Sequence, residues 1–253
     1  MTEFVSRAEN GKEIRIAYDD EGEGRAILLI HGFASNRQTN WRGPGWYSAL
    51  SNAGRRVVAL DCRGHGESSK PHDPADYDEG KMAGDALAVL DRLGIRDCDV
   101  MGYSMGGFIT LRLLHDHGAR FGKAILAGIG ENYFRTLTAN AGKIVEGLLA
   151  LSPSQVTDAV ALQFRLFAQS LNNDMRALAA CMTRPRRVLS ASELAAIRNE
   201  VLIVCGELDV ISGRPEPLAD ALGNARAEIV PKRDHMLTVG DRAYKDAVLK
   251  FLW

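Results

Sequence analysis

Apolar residues along this chain come in short unbroken runs, spaced by stretches in which they recur every three or four positions. Ala26-Ile27-Leu28-Leu29-Ile30 and Val201-Leu202-Ile203-Val204-Cys205 have no polar interruption. That is the pattern of strands buried on both faces of a parallel sheet. Arg56 to Leu60, Cys98 to Met101, Lys123 to Ala127 and Ala227 to Val230 read as further strands. Between them, Asp78 to Leu93 carries Met82, Ala86, Val89, Leu90 and Leu93 at helical spacing. Trp46 to Asn52 and Ala243 to Leu252 read as helices too. At the start, Phe4 to Ala8 and Ile14 to Tyr18 flank Asn10-Gly11, a two-residue hairpin signal. Strands alternating with helices predict an α/β fold, with a mostly parallel central sheet and helices on both faces.

From Asn132 to Arg198 the rhythm breaks. No strand pattern occurs there, but at least three helical ones do. Ser152-Pro153-Ser154-Gln155 and Ser190-Ala191-Ser192-Glu193 have the spacing of capping boxes, the first with proline at the opening helical position. Val160, Phe164, Phe167 and Leu171 fall on one helical face. The expected organisation is a core of residues 1–131 and 199–253, with 132–198 inserted as a small helical cap over the carboxyl edge of the sheet.

At the junction of one strand and the helix after it stands Gly102-Tyr103-Ser104-Met105-Gly106-Gly107. A G-x-S-x-G sequence in a strand–turn–helix frame is a nucleophile elbow. The turn is sharp enough that a Cβ at Gly102 or Gly106 would strike neighbouring backbone, and it holds the Ser104 hydroxyl above a helix N-terminus. A serine hydroxyl needs a base, and the base needs an orienting carboxylate. Both follow in the order the elbow predicts. The strand Val201 to Cys205 runs into Gly206-Glu207-Leu208-Asp209, and Ala227 to Val230 runs into Pro231-Lys232-Arg233-Asp234-His235. Asp209 and His235 thus reach the same sheet edge as Ser104. Glu131, on the loop after the strand that follows the elbow helix, is the competing acid; Glu207 reads as structural. Ile30-His31-Gly32-Phe33 supplies an oxyanion loop, with the backbone N–H groups of Phe33 and Met105 as donors. Removing one such donor typically costs about 10²–10³ in rate.

These segments, together with Asp61-Cys62-Arg63-Gly64-His65-Gly66-Glu67-Ser68, resemble the α/β-hydrolase fold family over essentially the whole chain. The D-x-R-G-x-G-x-S segment is similar to that of esterases, C–C bond hydrolases, cofactor-free haloperoxidases and epoxide hydrolases. Epoxide and haloalkane hydrolases carry aspartate at the nucleophile position, so Ser104 argues against both. The resemblance implies a serine hydrolase of small carboxylic esters. Alternatives are a C–C bond, thioester or lactone hydrolase using the same triad, or, in another class, a non-catalytic receptor on the same scaffold. Asp61 and Arg63 read as a turn with an ion pair, His65 as a turn residue of that loop, and His31 as held by backbone hydrogen bonds beneath the oxyanion loop.

Charge and composition change little. The chain has 253 residues and a net charge of −1, which gives no pull toward nucleic acid or an anionic membrane. No run approaches the ~18 apolar residues of a membrane span, and the first residues lack a signal-peptide build. The four cysteines are scattered, as expected of reduced core thiols in a cytoplasmic protein. No cluster has metal-ligand or nucleotide-binding spacing, so no metal and no cofactor are expected. His115 and His117, two apart on a helix, do not converge on one face. The cap has eight basic residues against four acidic ones, which could steer an anionic substrate or simply face solvent.

Overall fold

A computed structural model of the chain describes residues 2–9, 11–135, 138–184 and 186–253. Among them are eight strands: β1 (Glu3–Glu9), β2 (Lys12–Glu21), β3 (Arg25–Ile30), β4 (Arg55–Leu60), β5 (Cys98–Tyr103), β6 (Phe121–Ala127), β7 (Val201–Gly206) and β8 (Ala225–Val230). They form one sheet in the order β1-β2-β4-β3-β5-β6-β7-β8. The β1–β2 and β2–β4 pairs are antiparallel; every pair from β4 onward is parallel. At the expected hairpin Glu9 pairs with Lys12 and Gly11 takes a φ of 75°, while Asn10 lies outside the described residues.

The unbroken apolar runs follow from a sheet covered on both sides. Along β3, Leu28 and Ile30 join one core, whereas Ile27 and Leu29 join the other. Along β4, Val58 and Leu60 oppose Val57 and Ala59 in the same way. The first core is closed by α2 (Glu79–Arg92) and α3 (Met105–His117), the second by α1 (Trp46–Asn52) and α9 (Arg242–Leu252). α2 starts where the Asp78 side chain accepts from Lys81 N at 3.1 Å and buries Met82, Ala86, Val89 and Leu90.

Residues 132–198 contribute α4 (Thr138–Leu149), α5 (Ala159–Ser170), α6 (Met175–Met182) and α7 (Ala191–Ala196), and no strand among the described residues. The Ser190 capping box opens α7. The Ser152 box opens only the three-residue turn Pro153–Gln155, and α5 begins anew where Asp158 accepts from Val160 N and Ala161 N. α8 (Glu216–Leu222) lies between β7 and β8. All four cysteines are free and buried, and no helix of the described residues is long and apolar enough to cross a membrane.

Candidate active site

Ser104 follows β5 directly and takes φ 52° and ψ −112°, a conformation that costs a non-glycine residue about 1–3 kcal/mol. Its surroundings impose that geometry. A Cβ on Gly102 would overlap the Gly106 carbonyl, and one on Gly106 would overlap the Ile30 carbonyl. The chain can therefore turn from β5 into α3 only with glycine at both places, and the turn leaves the Ser104 side chain at the carboxyl edge of the sheet. Ser104 N donates to Ala127 O at 2.7 Å, which fixes the elbow to β6.

Two neighbouring strand ends deliver the partners. After β7, Asp209 Oδ1 accepts from Ile211 N at 3.0 Å and Ser212 N at 2.9 Å, so its backbone loop aims Oδ2 inward. After β8, Asp234 Oδ1 accepts from Met236 N and Leu237 N and shapes the loop that carries His235. His235 Nδ1 lies 2.7 Å from Asp209 Oδ2, and His235 Nε2 lies 3.0 Å from Ser104 Oγ. With Asp209 ionised, Nδ1 is the donor, and Nε2 is left to accept the serine proton. Burial works to raise the Asp209 pKa, but the bonds from His235 and Ser212 outweigh it and hold the carboxyl below the usual value. The competing acid goes elsewhere: Glu131 Oε2 accepts from Arg135 Nη2 at 2.8 Å. Glu207 accepts from Lys232 N at 2.8 Å, a loop contact.

Phe33 lines the same cavity as Ser104, and Met105 is the next residue of the chain. Met105 is the first residue of α3, and Phe33 leaves β3 through Gly32, where a side chain would begin only 3.4 Å from Ser104 Cβ. Gly32 N donates to Asn40 Oδ1 at 3.0 Å. His31 lies beneath as expected: Nδ1 donates to Gly32 O at 2.7 Å, and Nε2 accepts from Cys62 N at 2.9 Å. Those two bonds fix a neutral tautomer, and burial lowers the pKa. His115 and His117 sit in the last turn of α3, and among the described residues no three His, Cys, Asp or Glu side chains are arranged to hold a metal ion.

The expected Asp61–Arg63 ion pair is not formed. Asp61 instead pairs with the buried Arg37 and accepts from Arg37 N and Glu67 N. Arg63 makes a two-pronged pair with Asp85 of α2, both contacts at 2.7 Å. Arg37 also reaches Asp19 at 3.0 Å. The buried charges thus tie the loop after β3 to the loop after β4 and so hold the segment that carries Phe33. Tyr103 is a second feature the motif hid: its hydroxyl donates to the His235 carbonyl.

A cavity of about 560 Å³ opens over Ser104 and His235. Its walls include Phe33, Pro44, Tyr103, Phe164, Phe167, Leu237 and Val239, with Ser35, Thr39 and Asn40 as the polar part, and among the described residues its lining has no lysine, arginine, aspartate or glutamate. Phe164 of α5 meets Phe33 edge to face, with ring centroids 5.8 Å apart. Several basic side chains of 132–198 have partners of their own: Lys143 pairs with Asp158 at 3.0 Å, Arg184 with Glu79 at 3.6 Å, and Arg186 lies over the Phe108 ring.

Sheet order, elbow and loop placement are those of the α/β hydrolases. The chain matches the family model for the alpha/beta hydrolase fold over residues 25–182, and it belongs to that family. It is 30% identical over 226 residues to the 2-hydroxymuconate semialdehyde hydrolase of Pseudomonas putida, a match covering 80% of this chain and 79% of that protein. A 2-hydroxy-6-oxononadienedioate/2-hydroxy-6-oxononatrienedioate hydrolase of Burkholderia vietnamiensis is 33% identical over 139 residues, 51% of this chain and 45% of that protein. A thermophilic esterase from Thermogutta terrifontis shares the fold with a TM-score of 0.74 at 22% identity, covering 100% of this chain and 98% of that one.

Proposed function

We propose that this α/β hydrolase cleaves small, uncharged carboxylic esters through an acyl-enzyme on Ser104. The observation that carries this is the run of bonds from Asp209 Oδ2 to His235 Nδ1 and from His235 Nε2 to Ser104 Oγ. Ser104 Oγ attacks the ester carbonyl while His235 takes its proton. The tetrahedral oxyanion is held by the N–H groups of Phe33 and Met105. Collapse expels the alcohol, which leaves with the proton from His235. Water then attacks the acyl-enzyme, again losing its proton to His235, and the carboxylic acid departs as Ser104 recovers its hydrogen. Asp209 keeps the imidazole in the required tautomer. Residues 132–198 act as a cap that closes the acyl site with Phe164 and Phe167. A non-catalytic receptor would have no use for a complete triad on a strained elbow.

The second reading is C–C bond hydrolysis; the Pseudomonas putida relative is named a 2-hydroxymuconate semialdehyde hydrolase. The uncharged cavity walls favour the ester. A substrate bearing carboxylates, such as the dioates in the name of the Burkholderia vietnamiensis protein, would be buried with no lysine or arginine among the described lining residues to pair it, which is costly. The test is turnover of p-nitrophenyl esters of several chain lengths beside ring-cleavage dienoates and a thioester. Esters should be hydrolysed fastest by kcat/KM. Faster cleavage of a dienoate would give the site to the C–C reaction.

A further inference from the structure

Tyr103 is the residue before Ser104, and its hydroxyl donates to the backbone carbonyl of His235, with the Thr238 side chain as a further hydrogen-bond partner. Its ring is 97% removed from solvent and stands 5.5 Å, centroid to centroid, from the His235 imidazole. Gly128, on the loop after β6, leaves room for both rings: a Cβ there would lie 3.0 Å from His235 Cε1 and 3.0 Å from Tyr103 Cζ. The His235 loop is otherwise held to the loop after β7, through Leu208 N on Arg233 O and Lys232 N on Glu207 Oε2, and within itself, through Asp234 Oδ1 on Met236 N and Leu237 N and the Thr238 hydroxyl on Asp234 O. Nothing in those bonds ties the loop to the elbow. The pair Tyr103-Ser104 does so twice, once through Ser104 Oγ to His235 Nε2 and once through the Tyr103 hydroxyl to His235 O.

We infer that Tyr103 is a positioning residue that sets the height and direction of His235 over Ser104 by gripping the histidine's own backbone. The inference rests on the serine-hydrolase reading of the site. A hydrogen bond to the carbonyl of the catalytic residue itself leaves a single residue's torsions between the anchor and the imidazole. Displacing a reacting group by about 1 Å can cost on the order of 10² in rate. The hydroxyl is fully buried, and burial holds its pKa well above the ordinary value, so it stays a donor throughout the working pH range. Its loss leaves substrate binding intact, because the ring that lines the cavity remains.

The test removes the hydroxyl alone. Tyr103→Phe should lower kcat on a p-nitrophenyl ester about tenfold to a hundredfold with KM within about twofold. The same substitution in a His235→Ala background should leave the residual rate unchanged, since Tyr103 acts only through the imidazole. Equal losses in both backgrounds, or a kcat within twofold of wild type in folded protein, would overturn the inference. A spectroscopic measurement covers the case in which activity is too low to compare. In the Ser104→Ala protein, the downfield proton resonance of the His235–Asp209 bond should broaden or shift when Tyr103→Phe is added, and an unchanged resonance would again refute it. Full activity of Ser104→Ala alone would instead refute the serine-hydrolase reading and is read separately.

Discussion

Replacing Asp209 by asparagine tests the acid with little change of shape. Asp209 Oδ1 is held by Ile211 N and Ser212 N at 3.0 and 2.9 Å, so an asparagine oxygen would keep that place. The amide nitrogen introduced would then occupy the position of Oδ2, 2.7 Å from His235 Nδ1. A donor there faces another donor. The imidazole escapes by moving its proton to Nε2, and in that tautomer it can no longer accept from Ser104 Oγ. The expected loss is about 10⁴ in kcat, roughly 5.5 kcal/mol of barrier. Glu131→Gln serves as the control, because it breaks only the Arg135 pair at 2.8 Å on a partly exposed loop. It should cost less than about tenfold, since an exposed pair is worth under about 1 kcal/mol. The assay is ester hydrolysis near neutral pH, with circular dichroism matched among the proteins. An Asp209→Asn enzyme within tenfold of wild type, or a larger loss in Glu131→Gln, would refute the reasoning.

Phe164→Ala and Phe167→Ala, which open the cavity wall, should shift relative rates among acyl chain lengths by about 1–3 kcal/mol. Equal slowing of all esters with a lower melting temperature would make both residues core. His65 is fully buried with Nδ1 on Arg63 O at 2.9 Å, and burial pulls its pKa down from 6.5 to about 3. The unfolded chain takes up the proton first. His65 therefore favours the fold fully above its ordinary pKa, and this is lost as pH falls from about 6.5 toward about 3, at up to about 1.4 kcal/mol per pH unit. Urea unfolding of His65→Asn between pH 6 and 4 should show that slope reduced, and an unaltered slope would contradict the linkage.

The sheet was legible because burial on both faces leaves no place for polar residues in β3 or β7, and such runs stand out without any knowledge of the partner strands. The elbow, Asp209 and His235 were legible for a related reason: each lies just past the end of a strand, and parallel strands put those ends on one edge. Charge pairing was not legible. Asp61 and Arg63 are close in sequence, yet Asp61 pairs with Arg37 and Arg63 with Asp85, because the loop after β4 bends through glycines and sends the two side chains to different elements. Partners 22 and 24 residues away leave no local pattern. The Tyr103 anchor was hidden differently. In the motif it occupies the position that tolerates any residue, and its partner is a backbone carbonyl 132 residues away.

The central claim is that Ser104 is the nucleophile, and turnover by Ser104→Ala tests it most directly. Alanine removes Oγ while leaving the elbow glycines and the backbone bond to Ala127 in place. Hydrolysis of the best ester should fall by many thousandfold in folded protein, with only the small remainder that binding and the oxyanion donors supply. Activity within tenfold of wild type in a pure Ser104→Ala preparation would contradict the account.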